Sequence, residues 1–217
     1  MTLTRLLQTL SVTMLLVISV VGMAHAQTSR LYFAGYMGLN TFSDLDFSEK
    51  TVPTSGSFTP DNAFSFAGAL GLRIDNTWRV EAEASYRSAD LGNINFNNGV
   101  SAPVGGSLST YLLMANVYYD LDLGWQKLTP YLTAGLGLSF HDGEIDDSTG
   151  FGADASDSDF GVAWQVGTGL KYRVTDDMAF TGGYRYLGTS QIGIQGYDID
   201  YSSHEIRVGL EYDLPFK

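Results

Sequence analysis

The sequence predicts an all-β fold: an eight-stranded antiparallel up-and-down β-barrel that crosses a membrane with its strands. Three observations predict it. Bulky apolar residues alternate with small or charged ones in eight runs between residues 31 and 216. The connections between runs are short and long by turns, the pattern of a barrel embedded in a bacterial outer membrane. After residue 26 no apolar run approaches the roughly 20 residues that a spanning helix needs, so any crossing must be made by strands.

Residues 1–26 have the composition of a cleaved signal peptide. Arg5 supplies the positive start, residues 10–21 the apolar stretch, and Ala24-His25-Ala26 the small-x-small cleavage pattern. The mature chain is expected to begin at Gln27, with residues 27–217 forming one barrel domain. Cleavage removes Arg5 and no acid, which leaves 11 of the 12 Lys+Arg against 24 Asp+Glu, a formal charge of −13. Nucleic acid is an unsuitable partner for such a surface, because phosphate binding needs a basic stripe. The chain has no cysteine, which excludes a lipid-anchored N-terminus, a disulfide framework and a thiolate metal site.

In the first run Leu31, Phe33, Met37 and Leu39 share a face, and in the second Phe64, Phe66, Leu70, Leu72 and Ile74 do so. The third sets Trp78, Val80, Ala82, Ala84 and Tyr86 against Arg79, Glu81, Glu83, Ser85 and Arg87, one face apolar and the other ionic. The fourth opposes Tyr111, Leu113, Ala115, Val117 and Tyr119 to Thr110, Leu112, Met114, Asn116, Tyr118 and Asp120. The fifth sets Leu132, Ala134, Leu136, Leu138 and Phe140 against Thr133, Gly135, Gly137 and Ser139. The sixth pits Phe160, Val162, Trp164, Val166, Leu170 and Tyr172 against Ala163, Gln165, Lys171 and Arg173, with glycines between. The seventh opposes Phe180, Tyr184 and Tyr186 to Thr181 and Arg185. The eighth alternates Ile206, Val208, Leu210, Tyr212, Leu214 and Phe216 with Glu205, Arg207, Gly209, Glu211 and Asp213.

Tight turns are expected at Asp75-Asn76, at 122–129 and at 175–177, and long polar connections at 41–63, 92–106, 142–159 and 189–201. An even strand count returns both termini to the short-turn side, which would be the periplasm. Volume decides which face points out. An eight-stranded barrel has an interior just wide enough to be filled by side chains, and the bulky residues of eight runs, Trp78 and Trp164 among them, would overfill it. They must face lipid. The lumen then receives small residues and a charge network of Arg73, Arg79, Glu81, Glu83, Arg87, Lys171, Arg173, Arg185, Glu205, Arg207 and Glu211. Mixed signs can pair through bidentate Arg-carboxylate bonds, so a plug of ion pairs is expected in place of a wide channel. Tyr32, Trp78, Tyr86, Tyr111, Tyr172, Tyr184, Tyr186 and Tyr212 fit interfacial girdles or plain β-propensity equally well.

Particular stretches carry a family resemblance. Residues 115–121 (ANVYYDL), 128–131 (LTPY) and 134–137 (AGLG) resemble the small outer-membrane β-barrels of the Omp25/Omp31 surface-antigen and OmpA-barrel type. Ala163-Trp164-Gln165, Tyr172-Arg173-Val174-Thr175-Asp176 and Gly183-Tyr184-Arg185-Tyr186-Leu187 add to it, and the likeness spans the mature chain. The resemblance implies that Tyr212, Leu214 and Phe216, here followed by Lys217, act as the signal read by the barrel-assembly machinery. With no peptidoglycan-binding domain expected after the barrel, no wall-anchoring role is implied.

Chemistry-bearing residues are few. The acids Asp142, Glu144, Asp146, Asp147, Asp154, Asp157 and Asp159 lack the spacing of a calcium loop, so no metal is assigned. Ser203 and His204 are strand neighbours and point to opposite faces, which denies them a nucleophile-base contact. His141 is expected to be solvated at a strand end, and the Gly-x-Gly pairs at 135–137 and 167–169 to serve strand packing. The expected function is non-enzymatic and without cofactor: a barrel with a structural and surface-interaction role, of the antigen or adhesin kind. A porin-like channel is the alternative, and a lipid A-modifying enzyme a weaker one. Expected partners are outer-membrane lipid and lipopolysaccharide, the assembly machinery and an unidentified surface ligand.

Overall fold

The computed structural model describes residues 30–42, 45–49, 55–60, 63–96, 101–103, 105–146, 155–190, 192–194, 197–199 and 202–215. The expected signal peptide and Phe216 lie outside them. Thirteen strands follow in order: β1 (Arg30–Phe42), β2 (Leu45–Glu49), β3 (Ser55–Pro60), β4 (Ala63–Arg73), β5 (Trp78–Phe96), β6 (Ser101–Pro103), β7 (Gly105–Asp120), β8 (Leu128–Asp146), β9 (Ala155–Arg173), β10 (Met178–Thr189), β11 (Ile192–Ile194), β12 (Tyr197–Ile199) and β13 (Ser202–Asp213).

Eight of them form the barrel. β1, β4, β5, β7, β8, β9, β10 and β13 pair antiparallel in that order. The ring closes where β13 returns to β1 in register from Tyr32↔Asp213 to Phe42↔Ser203. Closure leaves the barrel no open sheet edge, which a bilayer requires because it offers no water to unpaired backbone groups. The five other strands are an addition to the expected eight runs. β11, β12, β2 and β3 continue as a ribbon onto the end of β5, and β6 pairs with β5 as well. The connections expected at 41–63, 92–106, 142–159 and 189–201 are therefore partly strand. β5, β8 and β9 each run 19 residues, about 60 Å at the usual rise, whereas crossing hydrocarbon takes about 9–11 residues. The surplus carries β-structure well beyond the membrane on the long-connection side.

The three short turns form for local reasons. Asp75 Oδ1 accepts the backbone N–H groups of Thr77 and Trp78, both at 2.7 Å. Thr175 Oγ1 accepts the N–H of Met178 at 3.0 Å. Asp122 Oδ1 accepts the N–H of Gly124, which takes a left-handed φ of 73° that other residues resist.

Burial follows the strand parity. On β7 the residues Thr110, Leu112, Met114, Asn116, Tyr118 and Asp120 are buried, while Tyr111, Leu113, Val117 and Tyr119 are exposed. The exposed set continues round the barrel through Phe33, Phe64, Leu136 (66% exposed), Val162 and Ile206 (68%). A continuous apolar belt of that kind is suited to acyl chains and not to water. Leu72, expected on the same face, is covered, with Leu31 and Val80 beside it in register.

Candidate functional site

Among the described residues it is in the interior of the barrel that the strands converge polar chemistry, and this interior is built in layers. Nearest the short turns, Arg79 makes a bidentate pair with Asp120, both contacts at 2.9 Å, and donates from Nη1 to Glu211 at 2.8 Å. Arg73 bridges Glu211 (2.7 Å) and Asp213 (2.8 Å), and Lys171 donates to Asp120. In the middle, Glu81 accepts three tyrosine hydroxyls: Tyr32 at 2.9 Å, Tyr36 at 2.8 Å and Tyr118 at 3.0 Å. Guanidinium groups lie on the same rings, Arg73 over Tyr32 and Arg79 over Tyr118 at 4.4 Å, and Arg207 over Tyr36 at 3.6 Å.

In the half toward the long connections, Glu83 is held between Arg185 (2.8 Å) and Arg207 (3.0 Å). Glu205 faces Arg185 (2.9 Å) and Arg87 (3.3 Å). Gln165 accepts from Arg185 at 2.7 Å and donates to Asn116, while Arg87 also donates to Ser203 Oγ at 3.1 Å. Across the lumen six cations (Arg73, Arg79, Arg87, Lys171, Arg185, Arg207) meet six carboxylates (Glu81, Glu83, Asp120, Glu205, Glu211, Asp213) among the described residues. Equal numbers matter, because an unbalanced buried ion costs several kcal/mol in a medium that solvates it poorly. Arg79, Arg87, Arg185, Glu83, Glu205 and Glu211 are each under 2% exposed, so their layers leave no continuous water column at that depth.

Glycine gives the tyrosines their room. A Cβ on Gly71 would clash with the Tyr32 ring, so the small residue opposite is what leaves that ring its place in the lumen. Tyr32 is fully buried, which decides against the girdle reading for it. It shares parity with Arg30, Ala34 and Tyr36, opposite to Phe33 and Met37, and that alternation was the available signal. Trp78, Tyr86, Tyr111, Tyr172, Tyr184 and Tyr212 are exposed on the outer wall.

Of the eleven charges expected in the lumen, ten are placed in the layers just described. Arg173 has the same parity but stands exposed at the short-turn mouth, because β9 ends there and no neighbour closes over it. Asp120, Asp213, Tyr36 and Tyr118 also belong to the network, beyond the eleven charges expected there. Their inward parity was legible; their partners on distant strands were not. His141, expected to be solvated at a strand end, is buried, because β8 continues past it to Asp146 and it does not lie at the end of the strand. Its Nδ1 lies 3.0 Å from Thr110 Oγ1. Ser203 is inside against Arg87, while His204 is outside against Tyr184 at 2.6 Å, so the wall of the barrel separates them. Tyr212 is exposed and Leu214 half-buried at the short-turn end. Among the described residues no group of acids and histidines has metal-binding geometry.

Comparison with known proteins agrees with this architecture. A family model described as "Outer membrane protein beta-barrel domain" matches residues 11–213. The chain is 30% identical over 190 residues to the 25 kDa outer-membrane immunogenic protein of Brucella abortus, covering 82% of this chain and 77% of that one. It is 29% identical over 156 residues to the outer membrane protein PagN of Salmonella typhimurium, covering 65% of this chain and spanning 64% of PagN's own length. Among solved structures, Neisserial surface protein A superposes with a TM-score of 0.56 at 21% identity, covering 87% of this chain and all of that one (100%). OprG of Pseudomonas aeruginosa gives 0.57 at 13% identity, covering 89% and 99%. Both share the fold.

Proposed function

This chain belongs to the outer membrane protein beta-barrel domain family, and from that premise we propose that it is a non-conducting, non-catalytic scaffold that presents its four long connections at the cell surface. It is an integral outer-membrane β-barrel, and surface proteins are among its relatives and fold neighbours. The observation that carries the reading is the plugged lumen: ion pairs such as Arg185–Glu83 at 2.8 Å and Arg79–Glu211 at 2.8 Å fill the space through which a solute would pass. Opening it would require breaking several buried pairs at once, each about 3–5 kcal/mol when one partner is lost.

Display is the complementary part. The extended β5, β8 and β9 hold the connections away from the lipid, and one relative is named for being immunogenic, as a surface-exposed protein can be. In this reading both termini and the short turns are periplasmic, residues 1–26 are removed on export, and Tyr212, Leu214 and Phe216 address the chain to the assembly machinery. The separation of Ser203 from His204 speaks against a lipid-deacylating role.

Two measurements test the proposal. Protein refolded into planar bilayers is expected to show no steady conductance, and large, long-lived openings would replace the scaffold by a porin. An epitope inserted at 147–150 is expected to be labelled on intact cells, whereas one at 122–126 is labelled only after the outer membrane is permeabilised. The reverse result would invert the orientation.

A further inference from the structure

The short-turn end of the lumen is not sealed like its middle: a cavity of about 180 Å³ opens there. Arg30, Arg73, Lys171 and Arg173 line it, four of the chain's 12 Lys+Arg gathered at one mouth of a protein with 24 Asp+Glu. Three carboxylates line it too, but each is engaged. Asp75 accepts the turn amides of Thr77 and Trp78, Asp120 takes Arg79 and Lys171, and Asp213 takes Arg73. Of the cations lining the cavity, Arg30 and Arg173 have no ion pair among the described residues, and both are exposed.

Register sharpens the point. Arg30 stands directly opposite Arg73, and Arg73 directly opposite Arg79, so three guanidinium groups share one row on three adjacent strands. Like charges directly opposite destabilise a sheet unless something intervenes. Glu211, Asp213 and Asp120 intervene for Arg79 and Arg73. Nothing among the described residues does so for Arg30, and Arg173 brings a further unpaired cation to the same cavity.

We propose that this mouth is a binding site for a phosphate-bearing anion. The cavity exceeds the roughly 30 Å³ share of one water several-fold, so it admits a group of several heavy atoms. Guanidinium forks match phosphate oxygens in bidentate fashion, and donors converging from β1, β4 and β9 suit a tetrahedral group better than a planar carboxylate. Arg30 and Arg173 hold the anion; Arg73 and Lys171, already paired, supply the field behind them. The site concerns the mouth alone and stands apart from the surface-display reading.

The test uses the folded barrel in octyl glucoside micelles free of phospholipid, titrated calorimetrically with inorganic phosphate. Saturable one-to-one binding is expected, weakened about tenfold or more in the double variant Arg30→Gln/Arg173→Gln. Both residues are exposed, so the variant keeps its heat-modifiable migration in SDS. Lys127→Gln, an exposed cation on the neighbouring turn outside the cavity, binds as wild type. Repeating the titration in phosphatidylglycerol nanodiscs separates two sources of the same chemistry. Phosphate binding that persists there points to a free solute, and binding lost there but present in micelles points to a lipid headgroup already seated. Absence of saturable binding in micelles, an unchanged affinity in the double variant, or an equal loss in Lys127→Gln overturns the proposal.

Discussion

Glu83→Gln is the substitution that interrogates the plugged lumen most directly. The side chain is fully buried and held between Arg185 at 2.8 Å and Arg207 at 3.0 Å. Glutamine keeps the shape, removes the charge and turns an amide donor toward one of the two guanidinium groups. Two charge-assisted hydrogen bonds at about 1.5–3 kcal/mol each give a loss of about 3–6 kcal/mol. The cost of stranding a buried ion, about 3–5 kcal/mol, overlaps that range. Arg185 retains Glu205 at 2.9 Å and Arg207 keeps only a long contact to it at 3.9 Å, so Arg207 is the group left short. The expected destabilisation is therefore about 4 kcal/mol, which at an m-value of about 2 kcal/mol/M lowers the urea midpoint by about 2 M. Reversible urea unfolding of the vesicle-embedded barrel, followed by tryptophan fluorescence and by gel mobility without boiling, measures it. Wild-type stability within about 0.5 kcal/mol would refute the reasoning, because it would mean that water reaches the pair and the lumen is not dry.

Three further outcomes are expected. Gly71→Ala places a methyl 2.0 Å from the Tyr32 ring and destabilises by about 1–3 kcal/mol, whereas Gly35→Ala meets nothing within 4 Å and stays close to neutral, a contrast the same unfolding assay resolves. Leu136→Arg, on the outer wall at 66% exposure, costs about 2–4 kcal/mol in a bilayer; a neutral result would place that residue outside the hydrocarbon. Phe216→Ala lowers the amount of heat-modifiable protein in the outer-membrane fraction while leaving refolding in detergent unchanged, and wild-type assembly in cells would remove the C-terminal residues from the assembly signal.

Much of the architecture was readable from local pattern. Strand side chains alternate with a period of two, so Trp78, Val80, Ala82 and Ala84 had to share a face opposite to Arg79, Glu81, Glu83 and Arg87, whatever lay across from them. The failures came where a strand end had to be located. His141 passed for solvated because the continuation of β8 to Asp146 has no strong apolar alternation. For Tyr32 the sequence leaves girdle and plain β-propensity open alike, because a tyrosine near a strand end suits either face, and only its pairing opposite Gly71 and Asp213 shows the room it occupies. The short strands β2, β3, β6, β11 and β12 are not separable from turns in the sequence, because segments of three to six residues carry too little periodicity.

By itself the sequence determined the barrel's even number of strands, their joining by short and long connections in alternation, and the outward direction of the apolar face. Those follow from parity and from the volume that eight strands can enclose, both of which are local or additive. Only the tertiary structure decided which charges meet. Arg79 with Glu211, Arg207 with Glu83 and Arg73 with Asp213 lie 132, 124 and 140 residues apart. Their contact depends on the stagger accumulated around the ring, and a register change in any one hairpin would bring a different set of ions face to face.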